Sequence, residues 1–204
     1  KPEITTSYET GIEARLFDNR INLDATVYQT STKNQIISVP LDITTGYSSG
    51  VLNSGEVRNR GIELAVNAKI VNNDKFKWST NLTWARNWNK VLELADGIDG
   101  QQEIGTGGQA RIIAKVGGTA TSIYGAGFVR SPEGEIVYDN GGLPAYPDDI
   151  MYIGAASPDW RAGLQNNFSY GNFGLNLLLD GQYGGIIYSQ THHKMVQQGK
   201  LKST

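Results

Sequence analysis

The sequence contains no cysteine, which excludes a disulfide framework and a thiolate metal site. It also lacks any run approaching the roughly eighteen consecutive apolar residues of a membrane helix, so helical spanning is excluded. A large excess of charge of one sign is missing too: 18 Lys and Arg stand against 20 Asp and Glu, for a net charge of -2. Without a basic cluster, nucleic acid is a poor partner. Apolar content is low, with a mean hydropathy of -0.35 and an isoelectric point near 5.7. Such values ordinarily describe a soluble chain. A β-barrel gives the same figures, because only every second residue of a strand faces lipid. The chain opens on Lys1 with no charged-then-apolar leader, so any signal peptide is expected outside this sequence.

What is present is alternation. Phe173, Leu175, Leu177, Leu179, Gly181 and Tyr183 share one strand face, and Asn176, Asp180 and Gln182 point the other way. A strand of ten residues at about 3.3 Å each, tilted about 40°, rises about 25 Å, the height of an outer-membrane barrel's apolar band. The span recurs: Phe76, Trp78, Leu82, Trp84 and Trp88 share a face opposite Lys77, Ser79, Asn81, Thr83 and Asn87. Aromatics at both ends of an apolar stripe match the interfacial girdles of such barrels. Other stripes agree, among them Ile4, Tyr8, Ile12, Ala14 and Leu16 opposite Glu9, Glu13 and Arg15. Ile21, Leu23, Ala25 and Val27 oppose Asn22 and Asp24, while Ile62, Leu64, Val66, Ala68 and Ile70 oppose Glu63, Asn67 and Lys69. The charged parity is expected to line a hydrated lumen. Arg86 breaks the pattern on the lipid parity, near the outer interface, where a long side chain lifts its charge to the headgroups.

The pattern predicts eight strands, at residues 4 to 17, 21 to 37, 56 to 71, 76 to 94, 109 to 116, 121 to 130, 161 to 170 and 173 to 188. Short connections (Asp18-Asn19-Arg20, Asn72 to Lys75, Gly117-Gly118-Thr119, Gly171-Asn172) alternate with long ones from Ser38 to Gly55, Asp96 to Gly108 and Ser131 to Asp159. Asn, Asp and Gly suit the positive φ of hairpin turns. Short periplasmic turns alternating with long extracellular loops define an all-β, antiparallel, up-and-down transmembrane β-barrel. Strand parity requires the segment between residues 94 and 161 to cross twice or not at all. The length of its two strands around Gly117-Gly118 favours two crossings.

Lys1-Pro2-Glu3 with Tyr8-Glu9-Thr10-Gly11-Ile12-Glu13 resembles a barrel strand of TonB-dependent outer-membrane receptors, as does Gly55 to Leu64 with its Asn59-Arg60-Gly61-Ile62-Glu63. The run Ile153 to Leu164, continuing through Asn166-Asn167-Phe168-Ser169-Tyr170 to Phe173, is similar to the late barrel of the SusC/RagA branch. This resemblance implies part of a TonB-energised importer of glycans or peptides in the outer membrane of a Gram-negative bacterium. It also implies a SusD-like lipoprotein lid as partner, no cofactor and no enzymatic activity. Nothing resembles the plug, the TonB-contacting box or an aromatic-terminated closing strand. Residues 1–204 are therefore expected to be an internal part of a barrel of roughly 22 strands.

Candidate residues follow from place in the chain. Tyr47, Tyr146, Tyr152 and Trp160 are expected on loops, where they would stack on sugar rings or on the lid, and Asp148 and Asp149 would accept hydroxyl hydrogen bonds. Packing of loop on loop is the plainer role for the same aromatics. Trp78, Trp84, Trp88, Phe173, Leu175, Leu177, Leu179 and Tyr183 are assigned to lipid. The other features read as structural. His192 and His193, adjacent on an extended chain, would diverge and share no metal. Asp96 to Gly100 lacks the ligand spacing of a calcium loop. Glu133 and Glu135 flank Gly134 in a hairpin tip rather than forming a glycosidase pair, and Gly105 to Gly108 lacks the Lys-Ser/Thr end of a phosphate loop. Two rival classes remain: a soluble carbohydrate-binding β-sandwich, and a glycan-active β-helix or propeller. The first requires a second sheet over Leu175, Leu177 and Leu179; the second requires a regular internal repeat or convergent carboxylates, and this sequence shows neither.

Overall fold

The computed structural model describes residues 1–40, 44, 46–47, 49–53, 55–94, 101–107 and 110–202. The main element is a six-stranded antiparallel sheet. Its strands are β1 (Ile4–Leu16), β2 (Ile21–Lys33), β5 (Glu56–Asn72), β6 (Phe76–Glu93), β11 (Trp160–Tyr170) and β12 (Phe173–Tyr183), each hydrogen-bonded to the next in that order. A hairpin of β3 (Ile36–Pro40) and β4 (Ser49–Asn53) extends the β2–β5 connection. A second, four-stranded sheet, order β10-β9-β8-β7, contains β7 (Gln101–Gly107), β8 (Ala110–Lys115), β9 (Ser122–Gly125) and β10 (Met151–Ala155). One helix, α1 (Gln190–Gln197), follows the last strand.

Local chemistry closes the short turns. Phe17, Asp18 and Asn19 all take positive φ (54°, 54° and 60°) between β1 and β2, where Arg20 N donates back to the carbonyls of Leu16 and Phe17. The Arg20 guanidinium then reaches the carbonyls of Lys69 and Ile70, fixing this turn to the end of β5. Between β5 and β6 the Asn73 carboxamide oxygen accepts from the backbone N–H groups of Lys75 and Phe76, an Asx turn. Gly171, at φ 56°, makes the reversal from β11 to β12. These turns lie at one end of the sheet and the long connections at the other, which is the expected barrel pattern.

One expectation about crossings is corrected. Arg161–Tyr170 pairs directly with Phe76–Ala85, so no strand is inserted between β6 and β11, and the described residues between Leu94 and Trp160 do not enter this wall. The strands β8 and β9, of 6 and 4 residues, are shorter than the roughly 9–11 residues needed to span. The Gly117-Gly118 turn, expected at the far side of the membrane, instead exchanges backbone hydrogen bonds with Val91 near the loop end of β6. The last strand is also shorter than expected, ending at Tyr183.

Among the described residues buried apolar side chains are few, and one cluster of them marks where the second sheet docks. Val57 and Val91 face each other across β5 and β6 on the polar parity and pack with Leu94 and Ala114, with Ile104 and Ala120 beside them. Val91 is the most buried of these, at 1% exposure. The β7–β10 sheet is thus clamped to the polar side of the wall at its loop end.

Candidate functional site

The registers bring the apolar parities of all six strands onto one face. A row runs Ile12, Ala25, Leu64, Trp84, Ala162, Gly181, and the next two steps down give Val66, Leu82, Leu164 and Leu179. Aromatics bound this face at both ends. Phe76, Tyr170 and Phe173 align at the short-turn end, above them Trp78 stacks on Phe168 at 5.6 Å, and at the loop end Trp160 stacks on Tyr183 at 5.9 Å. Among the described residues no second layer covers it: Leu175, Leu177 and Leu179 are 53%, 48% and 65% exposed. The second sheet that a β-sandwich would lay over this face is not found among the described residues. Arg86, on the same parity, lies 4.7 Å from the Trp88 ring, which gives its charge a cation–π partner at the aromatic boundary.

The opposite face is polar and carries the better candidate site. The Tyr28 ring lies so close over Gly61 that a Cβ there would come within 2.2 Å of it. Its hydroxyl donates to Asn87 Oδ1 at 3.2 Å, Asn87 Nδ2 donates to Asn59 Oδ1 at 3.1 Å, and Asn89 Nδ2 donates to the same oxygen at 2.9 Å. Asn89 Oδ1 in turn accepts from Thr119 Oγ1 at 3.0 Å and from Ala120 N at 2.8 Å. One chain of amides therefore joins the wall to the turn that carries the inserted sheet. Beside it, Tyr28, Asn87, Asn89, Asp159 and Arg161 help line a cavity of about 420 Å³. Below, a groove of about 610 Å³ has Asp24, Glu63, Asp180 and Arg161 around a floor that includes Ala65, Ala85 and Gly163. The small floor keeps the wall thin there, leaving carboxylates and one guanidinium to meet polar solutes.

The loop residues singled out from sequence are scattered. Tyr152 lies in β10 edge-on to Tyr124 at 5.5 Å, Tyr146 tilts against Phe128 at 5.3 Å, and Tyr47, Asp148 and Asp149 are exposed. Trp160 is corrected: it begins β11 on the apolar parity, in the aromatic boundary rather than on a loop. The segment 128–146 is a folded meander, in which Val129, Val137 and Ala145 exchange backbone hydrogen bonds. Glu133 and Glu135 sit at its exposed tip, where Gly134 N donates to the Ser131 carbonyl. His192 and His193 lie on α1, capped by Ser189, rather than on extended chain. Asp96 to Gly100 falls outside the described residues, as does Gly108, while Gly105 to Gly107 lies in β7. Sequence reasoning missed Tyr28, Asn59, Asn89 and Arg161. Their signal was available in the polar parity of strands already assigned.

Comparison with known proteins agrees with this geometry. The family described as TonB dependent receptor-like, beta-barrel matches residues 1–200. A TonB-dependent receptor P3 of Formosa agariphila is 30% identical over 94% of the chain and 21% of its own length. The TonB-dependent receptor SusC of Bacteroides thetaiotaomicron is 26% identical over 92% of the chain and 20% of its own length. Among solved structures, the RagAB peptide importer in its closed-closed state superposes with a TM-score of 0.73 at 18% identity, covering 90% of this chain and 21% of that one. The chain spans about a fifth of the length of these relatives.

Proposed function

This chain belongs to the TonB-dependent receptor-like β-barrel family, whose members reside in the outer membrane of Gram-negative bacteria, and from that premise we propose that it builds wall and mouth of a TonB-energised nutrient importer. The observation that carries the reading is the coincidence of six apolar parities on one exposed face with aromatics at both ends. Hydrocarbon is the medium that makes such a face stable, since no described residue outside the sheet covers it. The wall continues in both directions into strands of the larger receptor, which pair with the open edges of β1 and β12. Cargo is an oligosaccharide or a peptide, in keeping with relatives that include SusC and with structural likeness to the RagAB peptide importer.

In this reading a substrate entering from outside meets the meander, the exposed Tyr47, Tyr146, Asp148 and Asp149, and then the cavity beneath Tyr28. A SusD-like lipoprotein closes over the loops, and TonB, acting through the plug domain elsewhere in the receptor, opens the path. The polar face offers amide donors and acceptors for hydroxyls or peptide groups. The inserted β7–β10 sheet narrows the mouth on the same side. The role is transport, and no residue is assigned to catalysis.

Deleting Val129–Pro144 from the intact receptor tests this assignment. The expected outcome is loss of growth on an oligosaccharide or peptide whose uptake depends on the receptor, with normal receptor abundance in the outer membrane. Undiminished growth together with normal lipoprotein association would count against it.

A further inference from the structure

The apolar face changes character at its loop end. On the parity that carries Val27, Ile62 and Trp88, the residues one or two steps further out are Arg60, Arg58 and Lys90. Arg58 and Lys90 are direct cross-strand partners, and Arg60 is opposite Trp88. Like charges directly opposed on a sheet are destabilising. Glu56, two residues before Arg58, is paired elsewhere, with Lys33 at 3.4 Å. Among the described residues, no ion pair joins Arg58, Arg60 or Lys90 to a carboxylate, and Arg60 Nε is held by the neutral Gln29 at 2.6 Å. These cations adjoin a groove of about 700 Å³ whose apolar walls include Tyr8, Val27, Ile62 and Trp88. Its lining carboxylate, Glu9, belongs to the lumenal parity.

The geometry points to a binding site for a phosphate-bearing lipid of the outer leaflet, with acyl chain against Val27 and Ile62 and headgroup phosphate between Arg58, Arg60 and Lys90. The inference rests on the outer-membrane placement of this face. It adds a ligand on the outside of the wall, separate from the transported cargo. Three observations select an anionic amphiphile over other occupants. The groove is apolar toward the membrane and cationic away from it. The boundary between the two falls at Trp88, where an aromatic marks the hydrocarbon edge. A like-charge pair is kept with no ion-paired carboxylate among the described residues, and guanidinium groups bind phosphate oxygens bidentately. Cations at a membrane surface attract anionic lipid by about 1 kcal/mol each, roughly fivefold in affinity apiece.

The test uses the intact receptor in neutral detergent and native mass spectrometry, with diphosphoryl lipid A, phosphatidylglycerol, phosphatidylcholine and inorganic phosphate as separate probes. The wild type is expected to retain the two anionic lipids and to lose phosphatidylcholine and phosphate. R58Q/R60Q/K90Q is expected to lower the affinity for the anionic lipids on the order of a hundredfold. The charge-matched K69Q/K75Q/K77Q, at the opposite end of the wall, is expected to change nothing. Ile62→Trp, which fills the groove with the cations intact, is expected to weaken lipid retention too, and K90Q alone serves if the triple variant does not assemble. Equal retention of phosphatidylcholine, capture of phosphate without a lipid, a protein bound at this face in place of lipid, or an unchanged triple variant would each overturn the proposal. Transport lost in the loop deletion with lipid retention intact separates this site from the importer assignment.

Discussion

Leu177 and Gln182 lie five residues apart on β12 and meet different media. Leu177 is on the apolar parity, in the row of Asn166 and Thr80, and Gln182 is on the polar one beside Arg161. Arginine at the first position places a charge near the bilayer midplane, so Leu177→Arg is expected to destabilise the assembled barrel by about 2 to 4 kcal/mol, whereas Gln182→Arg is tolerated. Urea unfolding of the intact receptor in lipid bilayers reads this difference, and equal costs would refute the facing. Gly61 gives a second test at this scale. Since a Cβ there would sit 2.2 Å from the Tyr28 ring, Gly61→Ala must displace the ring and break its hydrogen bond to Asn87. A loss of about 1 to 3 kcal/mol is expected. Combining it with Tyr28→Ala, which empties the clash, is expected to recover the steric part, and a double variant as unstable as the sum of the two singles would show that the ring is not the obstacle.

Among elements, the inserted sheet shows where local pattern stops being informative. Faces follow from period two, a local property, so the parities of β1, β2, β5, β6, β11 and β12 were legible in the sequence. Whether a strand joins the wall is decided by pairing between β6 and β11, distant in sequence, and no local alternation encodes that choice. Strand length did not expose the insertion either: the alternation read from sequence ran over residues 109 to 116 and 121 to 130, and only in the structure do β8 and β9 shorten to 6 and 4 residues, below spanning length. Ser189 before Gln190 is an N-cap residue type, so α1 was announced by its start, though not by any strong amphipathic stripe. Trp160 shows the same lesson in one residue: its parity with Ala162 and Leu164 placed it on the apolar face, and proximity to a long loop masked this. Asn89 offers a test of how the inserted sheet is held. It bonds Asn59, Thr119 and the Ala120 backbone, so Asn89→Ala is expected to release residues 110–125 from the wall at a local cost of about 1 to 3 kcal/mol. Hydrogen exchange should rise in β8 and β9 and stay low in β5 and β6. Equal protection in all four strands would show that the Val57–Val91–Ala114 contacts and the backbone hydrogen bonds of Gly117 and Gly118 to Val91 suffice.

At the scale of the whole molecule, the claim with the widest reach is that one side of the sheet is immersed in hydrocarbon while the other is wet. Trp78 and Trp88 lie ten residues apart on β6, which at about 3.3 Å per residue and a tilt near 40° separates them by about 25 Å along the membrane normal. Trp84, on the same parity, then falls close to the midplane and Trp78 and Trp88 near the two interfaces. Single-tryptophan versions of the intact receptor, reconstituted in lipids brominated at different depths, convert this geometry into a measurement. Trp84 is expected to be quenched most by bromines near the chain ends, and Trp78 and Trp88 by bromines near the headgroups. Trp160, stacked on Tyr183 at the loop end, is expected to follow Trp88 rather than Trp84. The asymmetry between faces supplies the control: a tryptophan placed at Thr83, on the polar parity of the same strand and at nearly the same height as Trp84, should escape quenching at every depth. Depth dependence shared by both parities would mean that lipid reaches both faces, and no closed wall separates a membrane from a lumen in that case.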